Sequence, residues 1–197
     1  MNFSGPLFEF LWAFIGLILT IGGTFVEAFI ASPIWPPQDY SIALHSLGVT
    51  SQIGAVLLVG CMGGKKAGAL SQVGYLMLGL TWFPVFAQGG GASYFKEPSF
   101  GYLLGFVPGA WTCGFLAFRF PPRPEWLALS CTCGLICIHV TGILYLLLAQ
   151  LWMSGGETSP LFSEMVAQYS WTPLPGQLAV VCAATAIAYA LRHLMFY

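Results

Sequence analysis

Along this chain, long apolar runs alternate with short polar or glycine-rich breaks. Six runs stand out: Leu7 to Ile30, Leu47 to Met62, Ala67 to Phe86, Phe100 to Phe118, Trp126 to Trp152 and Pro175 to Leu194. A bilayer core takes about 20 apolar helical residues, so each run predicts a membrane-spanning helix and the whole an all-α bundle of six. The second run is short. Short or glycine-interrupted spans border cavities, which marks Gly48 to Gln52 as candidate lining. Small residues at helical spacing predict close helix contacts on three spans: Gly16, Thr20, Thr24 and Ala28 on the first, Gly101, Gly105, Gly109 and Cys113 on the fourth, and Ala179, Ala183, Ala186 and Ala190 on the sixth. Tyr102 and Phe106 fall beside the fourth-span ridge and predict an aromatic wall.

The polar positions set the topology. Lys65 and Lys66 follow the second run, Arg119 and Arg123 the fourth, and Arg192 closes the sixth, so five of the six Lys/Arg share one side. The positive-inside rule makes that side cytoplasmic, with both termini there. The opposite side holds Asp39, Lys96, Glu97, Glu157 and Glu164 in three longer loops, Ser32 to Ser46, Ala87 to Ser99 and Met153 to Leu174. Loops of that length in a small bundle carry function, which puts the expected site on the external face. Glu27, deep in the first run, is expected at the external interface or paired.

Composition agrees with a bilayer environment. The chain is 57% apolar and 7% charged, with a mean hydropathy of +0.80, and lacks the polar surface of a soluble domain. A net charge of −1 gives no reason to expect a nucleic-acid partner. The first run is too long for a signal-peptide core and follows no basic segment, so it is expected to remain as a span. Residues 1–197 read as one domain without internal repeats.

Candidate chemistry is sparse. The six cysteines lie within predicted spans and read as membrane packing rather than crosslinks. Cys133 and Cys137 share a helix face, but a third and fourth ligand are not evident nearby, so no metal is expected. The chain has three histidines and no nucleophile, zinc or nucleotide motif. Ser130 and His139, nine residues apart, fall on different faces of one helix, and His139 reads as a packed histidine with a bonded ring. No enzyme and no cofactor are therefore expected. Binding has more support. Gln52 and Gln177 sit at external span ends and offer an amide either to a neutral polar ligand or to a helix–helix bond. Trp82, Phe86, Tyr102, Phe106 and Tyr145 form a pocket wall or part of the lipid-facing aromatic belt. The Gly89-Gly90-Gly91 run indicates a tight bend or close approach to a ligand. Lys96 is the one cation on the external side, either solvated beside Glu97 or an anchor for an anionic group.

Taken in order, Gly48-Val49-Thr50-Ser51-Gln52, the segment GAVLLVGCMGGKKAGALS, Phe83-Pro84-Val85-Phe86-Ala87 with its glycines, and Pro98-Ser99-Phe100-Gly101-Tyr102-Leu103-Leu104-Gly105-Phe106 resemble the motifs of the BioY family. Those proteins are the biotin-binding S components of energy-coupling-factor (ECF) vitamin importers, and the resemblance covers roughly residues 28 to 190. It implies a six-helix bundle in the plasma membrane with an outward-facing biotin pocket under the loops after spans 1, 3 and 5. It also implies a separate ECF membrane scaffold and two cytoplasmic ATPases as partners. Together with the amides, aromatics and cation singled out above, the expected substrate-binding residues are Thr50, Gln52, Phe86, Gly89, Gly90, Gly91, Lys96, Pro98, Tyr102, Phe106, Tyr145 and Gln177. Three departures stand out. Where the family commonly reads Pro-Gly-Asp-x-x-Lys this chain has Pro175-Gly176-Gln177-Leu178-Ala179-Val180, Phe100 replaces a glycine, and Gly48 replaces a proline. The alternatives are an S component for another vitamin and a non-transporting structural or assembly protein.

The cation asymmetry predicts that a cysteine replacing Lys66 reacts with an impermeant thiol reagent only from the cytoplasmic side and one replacing Lys96 only from outside. External labelling at position 66 would overturn this topology.

Overall fold

The computed structural model describes residues 5–33, 42–81, 83–153 and 162–196. Trp82, Asp39 and Glu157 lie outside them. In chain order the elements are α1 (Pro6–Phe25), β1 (Glu27–Pro33), β2 (Ile42–Thr50), α2 (Gln52–Leu80), a 3₁₀ turn (Ala92–Lys96), α3 (Phe100–Arg119), α4 (Pro124–Met153), α5 (Phe162–Val166), a π-helical turn (Ala167–Trp171) and α6 (Leu174–Phe196). Among the described residues, five helical stretches are long and apolar enough to cross a membrane: Pro6–Phe25, Gln52–Leu80, Phe100–Arg119, Pro124–Leu151 and Phe162–Met195.

The second of these doubles back. Gly64 sits at φ 79°, a left-handed conformation natural to glycine, and interrupts the helix there. Gln52 then reaches Tyr75, 23 positions on, with a hydrogen bond of 2.8 Å, whereas a straight helix would hold them about 34 Å apart. A methyl on Gly68 would stand 3.2 Å from the Gly60 Cα. The two arms are therefore antiparallel, about 18 Å and about 24 Å long at 1.5 Å per residue.

Two expectations need correction. The third predicted run leaves the helix at Leu80, short of Phe86. The first stops being helical at Phe25, and Leu47 to Thr50 of the second is strand. These segments pair as an antiparallel hairpin, with Phe29 opposite Ser46 and Glu27 opposite Thr50, so the fold is mostly helical rather than all-α. Val, Ile and Phe next to Pro33 and Gly48 favour extended backbone, and pairing the strands satisfies peptide groups that lipid would leave bare. Glu27 is exposed and accepts a hydrogen bond from the Ser46 hydroxyl. The sixth-span stripe is the other correction. Ala183, Ala186 and Ala190 face outward, while Val181, Ala184 and Ala188 make the buried contact.

Helix α3 lies at the centre, packed on α2 and α4, with α1 against α2 and α6 against both α2 and α4. The fourth-span ridge works as expected. Gly101 faces Tyr145, Gly105 the backbone of Ile138, and Gly109 the Gly134 carbonyl, all on α4. On its other side α3 meets Gly60 and Gly68 at the Ala110 carbonyl. Two apolar clusters result. One, around Leu57, Cys61, Cys113, Leu127 and Cys131, fills the end where the cations gather. The other, around Tyr75, Phe86, Tyr94, Phe100, Tyr102 and Phe106, lies toward the glycine loop.

Arg192 is buried rather than solvated. Its guanidinium donates to the Cys61 carbonyl at 2.9 and 2.6 Å and to that of Ala117 at 2.8 Å, and lies 4.2 Å from the Phe118 ring. Both carbonyls belong to the last turn of a helical arm, where acceptors lack intrahelical donors and the dipole is negative. Lys65 lies over Trp111 and Phe115, and Lys66 pairs with Glu9 at 3.5 Å, so these cations share one end of the bundle.

A methyl at Gly105 would stand 2.8 Å from the Ile138 carbonyl oxygen, whereas one at Gly22 would meet nothing within 4 Å. Gly105→Ala is therefore expected to lose about 1–3 kcal/mol in detergent unfolding, and Gly22→Ala to lose none. Equal stability of the two variants would show that the α3–α4 contact is not close-packed.

Candidate functional site

The residues singled out by sequence gather into two hydrogen-bonded groups joined by aromatic rings. In the first, the Gln52 Nε2 donates to the Tyr75 hydroxyl, which donates to the Val85 carbonyl at 3.1 Å and lies 3.4 Å from Thr24 Oγ1. The Gln52 amide thus links the two arms of α2. Phe86 packs edge-on against Tyr75 and 4.6 Å from the Tyr94 ring, with Gly79 beneath it, where no side chain would fit. Phe86 and Gly89 exchange backbone hydrogen bonds of 3.0 Å around Ala87-Gln88, and the Gly91 amide donates to the Gly79 carbonyl at 2.7 Å. Gly89 and Gly91 adopt φ of 109° and 96°, and Gly90 has no room for a methyl against the Phe83 and Gly79 carbonyls. The glycine run therefore makes a tight bend, and two of its three amides bond within the protein.

In the second group, His139 bridges two helices. Its Nε2 lies 2.7 Å from Gln177 Oε1 and its Nδ1 3.1 Å from Ser170 Oγ, and Ser170 Oγ lies 2.6 Å from the Tyr102 hydroxyl. With Gln177 Oε1 accepting, Nε2 carries the proton and Nδ1 accepts from Ser170, whose own acceptor lone pair takes the Tyr102 O–H. His139 is thus a packed histidine with both ring nitrogens bonded, and Ser130 turns away to the Trp126 carbonyl at 2.7 Å. Tyr102 stacks on Tyr169 at 6.0 Å and meets His139 edge-on at 5.8 Å.

Phe100 connects the groups, in contact with Tyr94, Phe95 and Tyr145. Tyr145 donates to the Phe95 carbonyl and so fastens the 3₁₀ turn onto α4. Phe106 is buried in the same cluster. Lys96, at the end of the turn, is exposed, and Pro98 is half-buried. Thr50 is half-buried at the end of β2.

A cavity of about 820 Å³ opens elsewhere, between α1, the hairpin, the first arm of α2 and α6. Leu19, Glu27, Phe29, Ser51, Gly54 and Val180 are among its walls, and none of the twelve candidate residues is. Val180 and Gln177 therefore point different ways, one to this groove and one to His139.

Sequence reasoning passed over Tyr75, Ser170 and the bridging role of His139. Tyr75 and Ser170 carried no signal, because each acquires its partner from another helical segment. His139 offered one, as a lone imidazole within an apolar span.

Residues 10–196 match the profile of the BioY family. The chain belongs to the BioY family. It is a family of transport proteins and not of enzymes. The probable biotin transporter BioY of Lysinibacillus sphaericus is 37% identical over 115 residues, 57% of this chain and 59% of that protein. The biotin transporter BioY of Thermotoga maritima is 37% identical over 107 residues, 54% of this chain and 63% of that protein. The chain thus matches about three fifths of the length of these relatives. The crystal structure of the S-component for biotin from an ECF-type ABC transporter superposes with a TM-score of 0.68 over 98% of this chain and 94% of that one, at 18% identity. That likeness is one of fold, and it extends over nearly the whole of this chain.

The Gln52–Tyr75 bond generates a direct test. In a double-mutant cycle of Gln52→Leu and Tyr75→Phe, followed by unfolding in detergent, the coupling is expected at about 0.6–2 kcal/mol, the range for polar bonds between membrane helices. Additive effects would show that the two arms are not held by this bond.

Proposed function

We propose that this protein is the biotin-binding S component of an ECF-type importer, a single domain that crosses the plasma membrane six times with both termini cytoplasmic. The match to the BioY family over residues 10–196 carries the reading. Six crossings follow from counting the two arms of α2 separately, the first lengthened by β2. Energy would come from a separate scaffold and two ATPases, since the chain has no nucleotide motif of its own. Biotin's fused rings would lie against Tyr102, Phe106 and Tyr145, under the turn that carries Lys96 and Pro98. Its ureido edge would take an amide from Gln52 or Gln177, with Thr50, Phe86 and Gly89 to Gly91 shaping the entrance.

The resembled Asp and Lys positions hold an amide bonded to His139 and an apolar side chain in a groove wall. That observation favours a second reading within the same class, an S component for a vitamin without a carboxylate. Under the biotin reading Lys96 is the carboxylate anchor, because the Gly89 and Gly91 amides already have acceptors.

Purified protein is expected to bind one tritiated biotin per chain and to prefer it to biotin methyl ester. Gln52→Ala should weaken binding about tenfold or more, the cost of a buried polar edge left unpaired. Lys96→Ala should abolish the preference for the acid. An unchanged preference removes Lys96 from the site, equal binding of acid and ester by the parent shows that the carboxylate is not recognised, and no binding of either refutes the first reading and leaves the second.

A further inference from the structure

Three cysteines that are distant in sequence meet at one point in the bundle. Cys61 on the first arm of α2, Cys113 on α3 and Cys131 on α4 are completely buried, with Sγ–Sγ distances of 3.5 Å (61–113), 3.5 Å (61–131) and 4.0 Å (113–131). The thiols stay separate. Around them stand Leu57, Met62, Ala117, Leu127, Leu135 and Ala188. Cysteines that merely fill space behave as small hydrophobes with a weak S–H donor, and the Cys113 thiol also lies 3.4 Å from the Leu57 carbonyl. Here all three sulfurs turn to a common centre, about 2.1 Å from each, close to the metal–thiolate bond length of about 2.3 Å.

Two further groups lie near it. Thr185 on α6, more than nine-tenths buried, lies within hydrogen-bonding reach of the Cys131 thiol and has no nitrogen or oxygen partner. A thiol is a weak acceptor for a buried hydroxyl, and a metal-bound thiolate is a stronger, charged one. Arg192, seven residues on along the same helix, brings its positive charge to the Cys61 carbonyl.

We propose that Cys61, Cys113 and Cys131 form a trigonal binding site for a soft monovalent cation of the copper(I) class. Sulfur-only donors in a dry cavity select soft ions over hard ones. Among the described residues the ligand group stops at three, whereas structural zinc takes four. The charges balance as follows. As the cation enters, Cys-thiol protons leave two of the sulfurs for solvent and two metal–thiolate bonds form. The third sulfur coordinates as a neutral thiol, and no oxidation state changes. The complex then carries one negative charge, which the Arg192 guanidinium offsets, and Thr185 donates to the Cys131 sulfur. The bound ion would fasten α2, α3 and α4 together just beneath the cationic end, and this role does not depend on which ligand the opposite end binds.

The test is anaerobic titration of the purified protein in detergent with copper(I) supplied as its acetonitrile complex, against a chromophoric copper(I) chelator. The parent and Cys182→Ser, which lies outside the group, are expected to retain about one copper per chain and to unfold at a higher temperature when loaded. Cys61→Ala, Cys113→Ala and Cys131→Ala are expected to lose both effects. Copper X-ray absorption of the loaded parent should show three sulfur neighbours at about 2.3 Å. No retention by the folded parent, undiminished retention by the alanine variants, or fewer than three sulfurs around the metal would each overturn the proposal. If an alanine variant fails to fold, the absorption spectrum of the parent decides alone.

Discussion

Backbone contact across α3 is the constraint on which the rest of this structure depends. Lipid offers no hydrophobic drive for helices to associate, so close van der Waals approach must supply it. Glycine permits that approach on both sides of α3. Gly105 and Gly109 lie on the backbone of α4, and Gly60 and Gly68 lie against the Ala110 carbonyl from α2. With α3 held between its neighbours, the face carrying Tyr102 and Phe106 has a fixed direction. The aromatic cluster and the His139 bridge follow from it.

The second constraint is the absence of water. Thr20, Thr24, Ser130 and Thr141 return their hydroxyls to carbonyls four residues earlier in their own helices, the cheapest acceptor available inside a bilayer. Gln72 and Gln52 bond across segments, to Thr20 and Tyr75. Arg192 is the extreme case. A buried guanidinium is tolerated because the break at Gly64 and the end of α3 leave carbonyls pointing at it, and it in turn satisfies those helix ends.

These demands divide the bundle by chemistry. Toward the hairpin and the glycine bend the interior is aromatic and rich in bonded amides and hydroxyls, as suits a small polar ligand with a ring system. Toward the lysines and arginines it is aliphatic and thiol-bearing, closed by one buried cation. Ligand recognition can then change at one end without disturbing the packing at the other. Gln177 and Val180 illustrate this, since both depart from the resembled motif while the fold keeps its likeness to a biotin S-component.

Sequence alone indicated a mostly helical chain with several apolar spans, and the α3 ridge, because hydropathy and four-residue spacing are local properties of a helix. The ordered motifs from Gly48 to Phe106 were enough to indicate the family. The strand pairing of Glu27–Pro33 with Ile42–Thr50 was not legible, since an apolar run reads the same whether helical or extended and only the partner strand decides. Nor was the outward turn of Ala183, Ala186 and Ala190, because a small-residue stripe does not say which neighbour will cover it. Of the proposed site, sequence could name Gln52, Tyr102 and Gln177 but not Tyr75, Ser170 and His139 as their partners. Those hydrogen bonds join residues 23 to 68 positions apart, and only tertiary packing, which fixes where each helix passes its neighbours, could bring them within reach.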